Sequence, residues 1–243
     1  TSYIMQVLEG GYLAHLYYGA RINEYRGSNK IIYLDRGFSP NPCDKDRSFS
    51  LDTIPQEYQG FGNGDFRIPA YQVKLENGTR ISDLRYLGYK VFKGKKQLVG
   101  LPATYANNDD ECDSLEIYLE DKVIGLKVIL NYSVFNDLDV ITRSVKFINE
   151  GQEEIRLLRA LSMSIDFRDD DFEMITLYGA HNNEKNIERR KIVSGIQMVD
   201  SSRGASSPHQ APFVALVRKD TNEDSGEAYG FNFVYSGNFT AQV

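Results

Sequence analysis

LEIYLEDKVIGLKVILNYSVFNDLDVITRSVKF, residues 115–147, decides the fold class. Leu115, Ile117 and Leu119 alternate with polar residues, and Asp121-Lys122 makes a turn. Ile124, Leu126, Val128, Leu130, Tyr132 and Val134 continue at period two. Beyond Asn136-Asp137 the alternation resumes with Ile141, Arg143, Val145 and Phe147, and Asn149-Glu150-Gly151 closes it. Successive side chains of a strand point to opposite faces, so this pattern buries one face and wets the other. Antiparallel sheets behave in this way.

Outward from that stretch the same signals recur. Residues 3–18 read as strand, Gly-Gly turn, strand, a hairpin in which the glycines accept positive φ. Tyr71–Leu75 and Tyr86–Phe92 are short strands, the first closed by Asn77-Gly78. Leu161, Met163, Ile165 and Phe167 predict another strand before the acidic run Asp169–Asp171. Met174–Tyr178, Phe213–Arg218 and Tyr229–Tyr235 complete the set. Residues 184–191, EKNIERRK, are expected to form a helical turn at most, because they carry no apolar stripe. No repeat of solenoid or propeller period is present. The expected fold is therefore all-β, a large antiparallel β-sandwich with long loops and little helix. Residues 1–243 are expected to form a single domain, since no Gly- or Pro-rich linker divides them. The last residues stop in mid-strand, which predicts that the chain continues beyond Val243.

The chain has 243 residues, 41% hydrophobic and 26% charged, enough to bury a sizeable core. A net charge of −6 without a basic run argues against nucleic acid. The densest basic cluster, Arg189-Arg190-Lys191, follows Glu184 and Glu188 and reads as a solvated face. No apolar run of membrane length and no targeting segment is visible, so neither a membrane nor export is expected, and the location expected is cytoplasmic. Two cysteines, Cys43 and Cys112, lack metal or redox spacing and fit a reducing compartment, without excluding one disulfide. The Asn-x-Ser/Thr matches at Asn77, Asn131 and Asn238 are read as chance. Three histidines, His15, His181 and His209, have no pairing suited to zinc, and His15 reads as a structural residue. No metal or cofactor is expected.

The other informative stretch is Tyr33–Ala70, YLDRGFSPNPCDKDRSFSLDTIPQEYQGFGNGDFRIPA, a long ordered loop rich in turn formers and aromatics. It reads as the functional surface of the chain. Asp35, Asp44, Asp46, Asp52, Glu57 and Asp65 are candidate glycosidase carboxylates, although acidic loop residues more often cap turns or pair with arginines such as Arg36, Arg47 and Arg67. Asp35, Arg36, Phe38, Arg47 and Tyr58 together supply the acceptor, the donor and the apolar ring face that a sugar needs.

The motif order resembles the N-terminal domain of family 36 α-galactosidases, mostly bacterial enzymes. The resemblance rests on GYLAHLYYG, LDRGFSPNP, FSLDTIPQEYQGFGNGDFRIPA, LPATY, DVITRS, LLRALSMSIDF, IERR, SSRGASS and GFNFVYSGNF, which span the chain in order. It implies a β-supersandwich preceding a (β/α)₈ barrel that holds both catalytic aspartates. No residue of this chain is then catalytic. It implies an enzyme that hydrolyses terminal α-linked galactose from melibiose and raffinose-type oligosaccharides with retention, through a galactosyl-enzyme intermediate. It also implies a homotetramer in which this domain reaches into a neighbour's pocket, with Asp35 and Arg47 touching substrate. The sequence departs from the family where His181 stands in place of a usual Trp, and in Ser206–Phe213, which replaces SSHQ-x-NPF. Two further readings stand beside this one: a stand-alone sugar-binding module, and a purely structural oligomerisation domain.

Overall fold

A computed structural model describes residues 1–27, 31, 35, 37, 41, 42 and 46–243. The chain divides into two compact units: Thr1–Lys95 with Ala106–Arg168, and Lys96–Tyr105 with Asp169–Val243. Every pairing between named strands is antiparallel. The described helix is confined to two 3₁₀ turns.

In the first unit, β4 (Arg85–Lys93), β5 (Cys112–Asp121), β6 (Leu126–Phe135) and β7 (Ile141–Asn149) form one four-stranded sheet in sequence order. This is the sheet that the alternation at 115–147 predicts. Leu115, Ile117 and Leu119 face Tyr132, Leu130 and Val128 across the β5–β6 ladder. The turn between these strands depends on Gly125, at φ 68°, because a Cβ there would come within 2.5 Å of the Gly151 backbone. Two two-stranded pieces cover the apolar face: β1 (Ser2–Val7) with β2 (Leu13–Gly19), and β3 (Tyr71–Leu75) with β8 (Ile155–Ala160). Leu13, Tyr58, Tyr71 and Val73 pack there against Ile117, Leu119, Val128, Leu130 and Tyr132.

Strand β2 does not alternate. Its first four residues are all buried, because each of its faces meets a core. Leu13 joins the sheet-side cluster, while Ala14 and Leu16 pack with Phe49, Leu51 and Ile54.

The second unit holds β9 (Glu173–Ala180), β10 (Asn183–Lys191), β12 (Gln210–Val217) and β13 (Ala228–Asn232) in the order β10-β9-β12-β13, with β11 (Met198–Ser201) paired to β14 (Phe239–Gln242). Arg218 lies 3.9 Å over the Phe172 ring and pairs with Asp169 and Glu227, a local clip at the base of β12.

Two expectations fail for physical reasons. Residues 183–191 are a strand, not a helical turn. β10 is an edge strand held by backbone bonds to β9, and its mostly exposed side chains have no reason to alternate. Arg189 of its basic cluster pairs with Glu173 and donates to the carbonyls of Arg218, Lys219 and Thr221, so it is more than a solvated charge. The expected strand 161–167 is irregular, and the strand lies just before it as β8. β3 begins at Tyr71, so β8 loses its partner after Ala160. The Leu161 and Ser164 carbonyls instead accept from Tyr58 Oη and Arg143 Nη1.

Leu130 is almost wholly buried between the layers. Leu130→Ala is expected to lower the unfolding free energy by about 2–5 kcal/mol. Urea denaturation checks this, and a loss below 1 kcal/mol (about a third of the usual range) contradicts the packing described.

Candidate functional site

The long loop turns out to have two characters. From Phe49 onward much of it is core, with Phe61 and Phe66 left exposed. Phe49, Leu51, Ile54, Tyr58 and Ala70 are all buried, and the loop backbone is bonded to β2 through His15 N–H to the Pro55 carbonyl and Glu57 N–H to the Leu13 carbonyl. Arg36, Phe38, Cys43 and Asp44, all singled out in the sequence, lie outside the described residues.

Of the candidate carboxylates that are described, all but one are occupied by turns or by the interior. Asp46 accepts from the Ser48 N–H and hydroxyl, and Asp52 accepts from the Ser50 hydroxyl. Asp65 is bound by Arg67 and by Gln56 Nε2. Arg67 also pairs with Asp166 and donates to the Leu51 and Ile54 carbonyls, pinning the 3₁₀ turn Leu51–Thr53. Burial raises the Asp166 carboxyl above its ordinary value, although Arg67 and His15 oppose the shift.

Glu57 is fully buried. Its Oε1 accepts from Arg143 Nη2 at 2.6 Å and from the Tyr3 and Tyr132 hydroxyls at 2.7 Å each. His15 Nδ1 lies 3.2 Å from Oε2. Burial alone would raise the Glu57 carboxyl, but Arg143, His15 and Tyr132 together hold it below its ordinary value. This carboxylate faces protein on every side and is out of reach of a substrate. His15 is structural, as the sequence indicated. Nothing in the sequence marked Arg143 as its neighbour's counter-ion; the only signal was a lone arginine at an inward position of an apolar alternation.

Tyr58, a candidate sugar platform, is also core. Its ring stacks on Tyr71 at 5.6 Å and an interplanar angle of 3°. Among the described candidates, the pair Asp35 and Arg47 stays available. Each side chain is 65% exposed, and Arg47 Nη2 lies 3.3 Å from Asp35 Oδ1. Two candidates separated in sequence thus meet, as one donor fork beside one carboxylate, a combination suited to sugar hydroxyls. Elsewhere in the first unit, a cavity of about 380 Å³ is lined by Asp83, Arg85, Glu120 and Lys122. Its arginine is already committed to Asp83, to the Gly10 carbonyl and to the Tyr12 ring. Among the described residues, no group of three or more His, Cys, Asp or Glu is gathered as a metal would require.

Against this geometry, the sequence model of the glycosyl hydrolase family 36 N-terminal domain matches residues 11–243. The chain is 54% identical over its whole length to alpha-galactosidase AgaA of Geobacillus stearothermophilus, covering 33% of that protein. It is 45% identical to alpha-galactosidase Mel36A of Lactobacillus acidophilus, again over 100% of the chain and 33% of the relative. The crystal structure of the Geobacillus AgaA enzyme superposes with a TM-score of 0.96, covering 99% of this chain and 33% of that one. Variants of that enzyme have been solved with raffinose and with stachyose. The chain spans about a third of the length of these relatives.

Glu57 and Arg143 give a direct test. Removing one partner of a buried pair leaves an uncompensated charge, so Arg143→Met is expected to cost about 3–5 kcal/mol. Glu57→Gln/Arg143→Met should recover part of that loss. Because the Glu57 pKa is depressed by folding, its contribution is present above pH 4.5 and lost as pH falls through the lowered value. Glu57→Gln should therefore flatten this part of the acid limb of a stability–pH curve. An unchanged acid limb contradicts the assignment.

Proposed function

Because this chain is an N-terminal domain of glycosyl hydrolase family 36, we propose that it is the non-catalytic part of a retaining α-galactosidase. The parent enzyme would remove terminal α-linked galactose from melibiose- and raffinose-type oligosaccharides in the cytoplasm of a bacterium. Residues 1–243 act as one domain ahead of a (β/α)₈ barrel that supplies nucleophile and general acid/base. The domain supports a homotetramer, and the Asp35–Arg47 pair completes the pocket of a neighbouring subunit. The chain alone is inactive.

The observation that carries this reading is the exposed Asp35–Arg47 pair, set beside the commitment of the other described loop carboxylates to turns or to the interior. A carboxylate and a guanidinium offer acceptors and donors to adjacent hydroxyls of a pyranose, and no carboxylate pair in the described part of the loop is placed to cleave a glycosidic bond.

In the full-length parent, Asp35→Ala should lower kcat/KM for raffinose by roughly 10–100-fold, the value of one lost charged hydrogen bond, with the oligomer intact. An unchanged kcat/KM removes Asp35 from the site. Hydrolysis of an aryl α-galactoside by residues 1–243 alone contradicts the non-catalytic assignment. Tight galactose or raffinose binding by the isolated monomer favours a stand-alone sugar-binding module instead.

A further inference from the structure

Two exposed side chains on a turn-rich segment need something to hold them in one geometry. A solvent-exposed ion pair contributes too little to order a loop unaided. The backbone around Arg47 supplies the rest. Arg47 follows Asp46 in a turn closed by Phe49 N–H donating to the Asp46 carbonyl at 3.2 Å. The Asp46 side chain reaches over Arg47: its Oδ1 accepts from the Ser48 N–H at 2.9 Å and from the Ser48 hydroxyl at 2.5 Å. The Asp46 carbonyl also accepts from Asn41 Nδ2 at 2.5 Å. That bond ties Asn41 to the residue preceding Arg47. On the other side of the turn, Phe49 and Leu51 are buried, and Arg67 holds the Leu51 carbonyl.

We propose that Asp46 is a positioning residue for sugar binding, its side chain fixing the Arg47 backbone while its carbonyl is clasped by Asn41. The inference rests on the reading of Asp35 and Arg47 as galactoside contacts. The contacts of the Asp46 carboxylate run to Ser48, whereas Arg47 reaches Asp35, so the two acidic residues have separate tasks. The Ser48 hydroxyl and N–H hold the Asp46 carboxyl below its ordinary value, which keeps it an acceptor throughout the neutral range. A turn fixed before the sugar arrives spares the ordering of a long arginine side chain and its backbone at the moment of binding.

The substitution series follows from the chemistry. Asp46→Asn keeps an acceptor oxygen for the Ser48 N–H, because Asp and Asn both close this kind of turn. Asp46→Ala removes it. The measurement is steady-state kinetics on raffinose with the full-length parent enzyme, comparing Asp46→Ala, Asp46→Asn, Arg47→Ala and the double variant Asp46→Ala/Arg47→Ala. Melting temperature and oligomeric state are checked for each. Asp46→Ala is expected to raise KM about three- to tenfold with kcat nearly unchanged, the signature of lost uniform binding. Asp46→Asn should stay within about twofold of the parent, and the double variant should be no worse than Arg47→Ala alone.

A wild-type KM for Asp46→Ala, with Arg47→Ala impaired, overturns the clasp and leaves the substrate role of Arg47 standing. Additive losses in the double variant overturn it too, since Asp46 would then act independently of Arg47. Equal impairment of Asp46→Asn and Asp46→Ala shows that charge and not the turn matters, and the clasp is again overturned. If Arg47→Ala itself is silent, the substrate role of Arg47 fails and the clasp falls with it.

Discussion

An ionised carboxylate at the centre of an apolar core is tolerated only when each of its oxygens is paired, and the first unit is organised around one such group. Glu57 belongs to no strand. Its partners come from four: Tyr3 on β1, His15 on β2, Tyr132 on β6 and Arg143 on β7. A single loop residue is thereby bonded to both layers of the sandwich. Arg143 spends its remaining donors on Tyr3, Tyr132 and the Ser164 carbonyl, so the irregular segment after β8 joins the same network. Such a pair adds little net stability relative to apolar residues of equal volume, but losing one partner is expensive. The bonds to Glu57 fix the loop against β1, β2, β6 and β7 at one point.

That placement is what the site inherits. Arg67 repeats the device toward the surface, binding Asp65 and Asp166 and capping the carbonyls of Leu51 and Ile54. These two anchors tie the segment 49–70 to the interior, although Phe61 and Phe66 stay exposed, and the turn at Asp46–Phe49 runs directly into its buried start at Phe49 and Leu51. The exposed Asp35–Arg47 pair is the visible product of a buried arrangement. Among the described charged residues of this loop, Asp46, Asp52, Glu57, Asp65 and Arg67 are committed to turns or to the interior.

The strands of the sheet β4–β7 were legible because apolar residues such as Ile117, Leu130 and Val145 recur at period two on the face that packs against the core. The strand β10 was not legible, since its residues 186–191 pair with β9 through the backbone while their mostly exposed side chains carry no period-two burial pattern. Leu161–Phe167 misled for the opposite reason. Their apolar residues alternate in sequence, but all seven are half-buried without alternation, and the Leu161 and Ser164 carbonyls accept from Tyr58 and Arg143 side chains in place of a neighbouring strand. In the loop, residue types alone gave Tyr58 and Glu57 the same standing as Asp35 and Arg47. Burial separates them, and burial depends on contacts with Tyr71 and Arg143 far away in the chain. The resemblance to family 36 supplied the choice of Asp35 and Arg47; composition could not.

Native-state hydrogen exchange tests the central claim, that the segment 49–70 is anchored in the core and holds the Asp46–Phe49 turn that carries Arg47. The amides of Glu57, Ala70 and His15 donate to the carbonyls of Leu13, Gln59 and Pro55. They should exchange as slowly as the amides of β6, through the same global opening. Exchange of these amides at the rate of an open surface loop, while β6 stays protected, would show that the loop folds onto the sheet only loosely and would contradict the account.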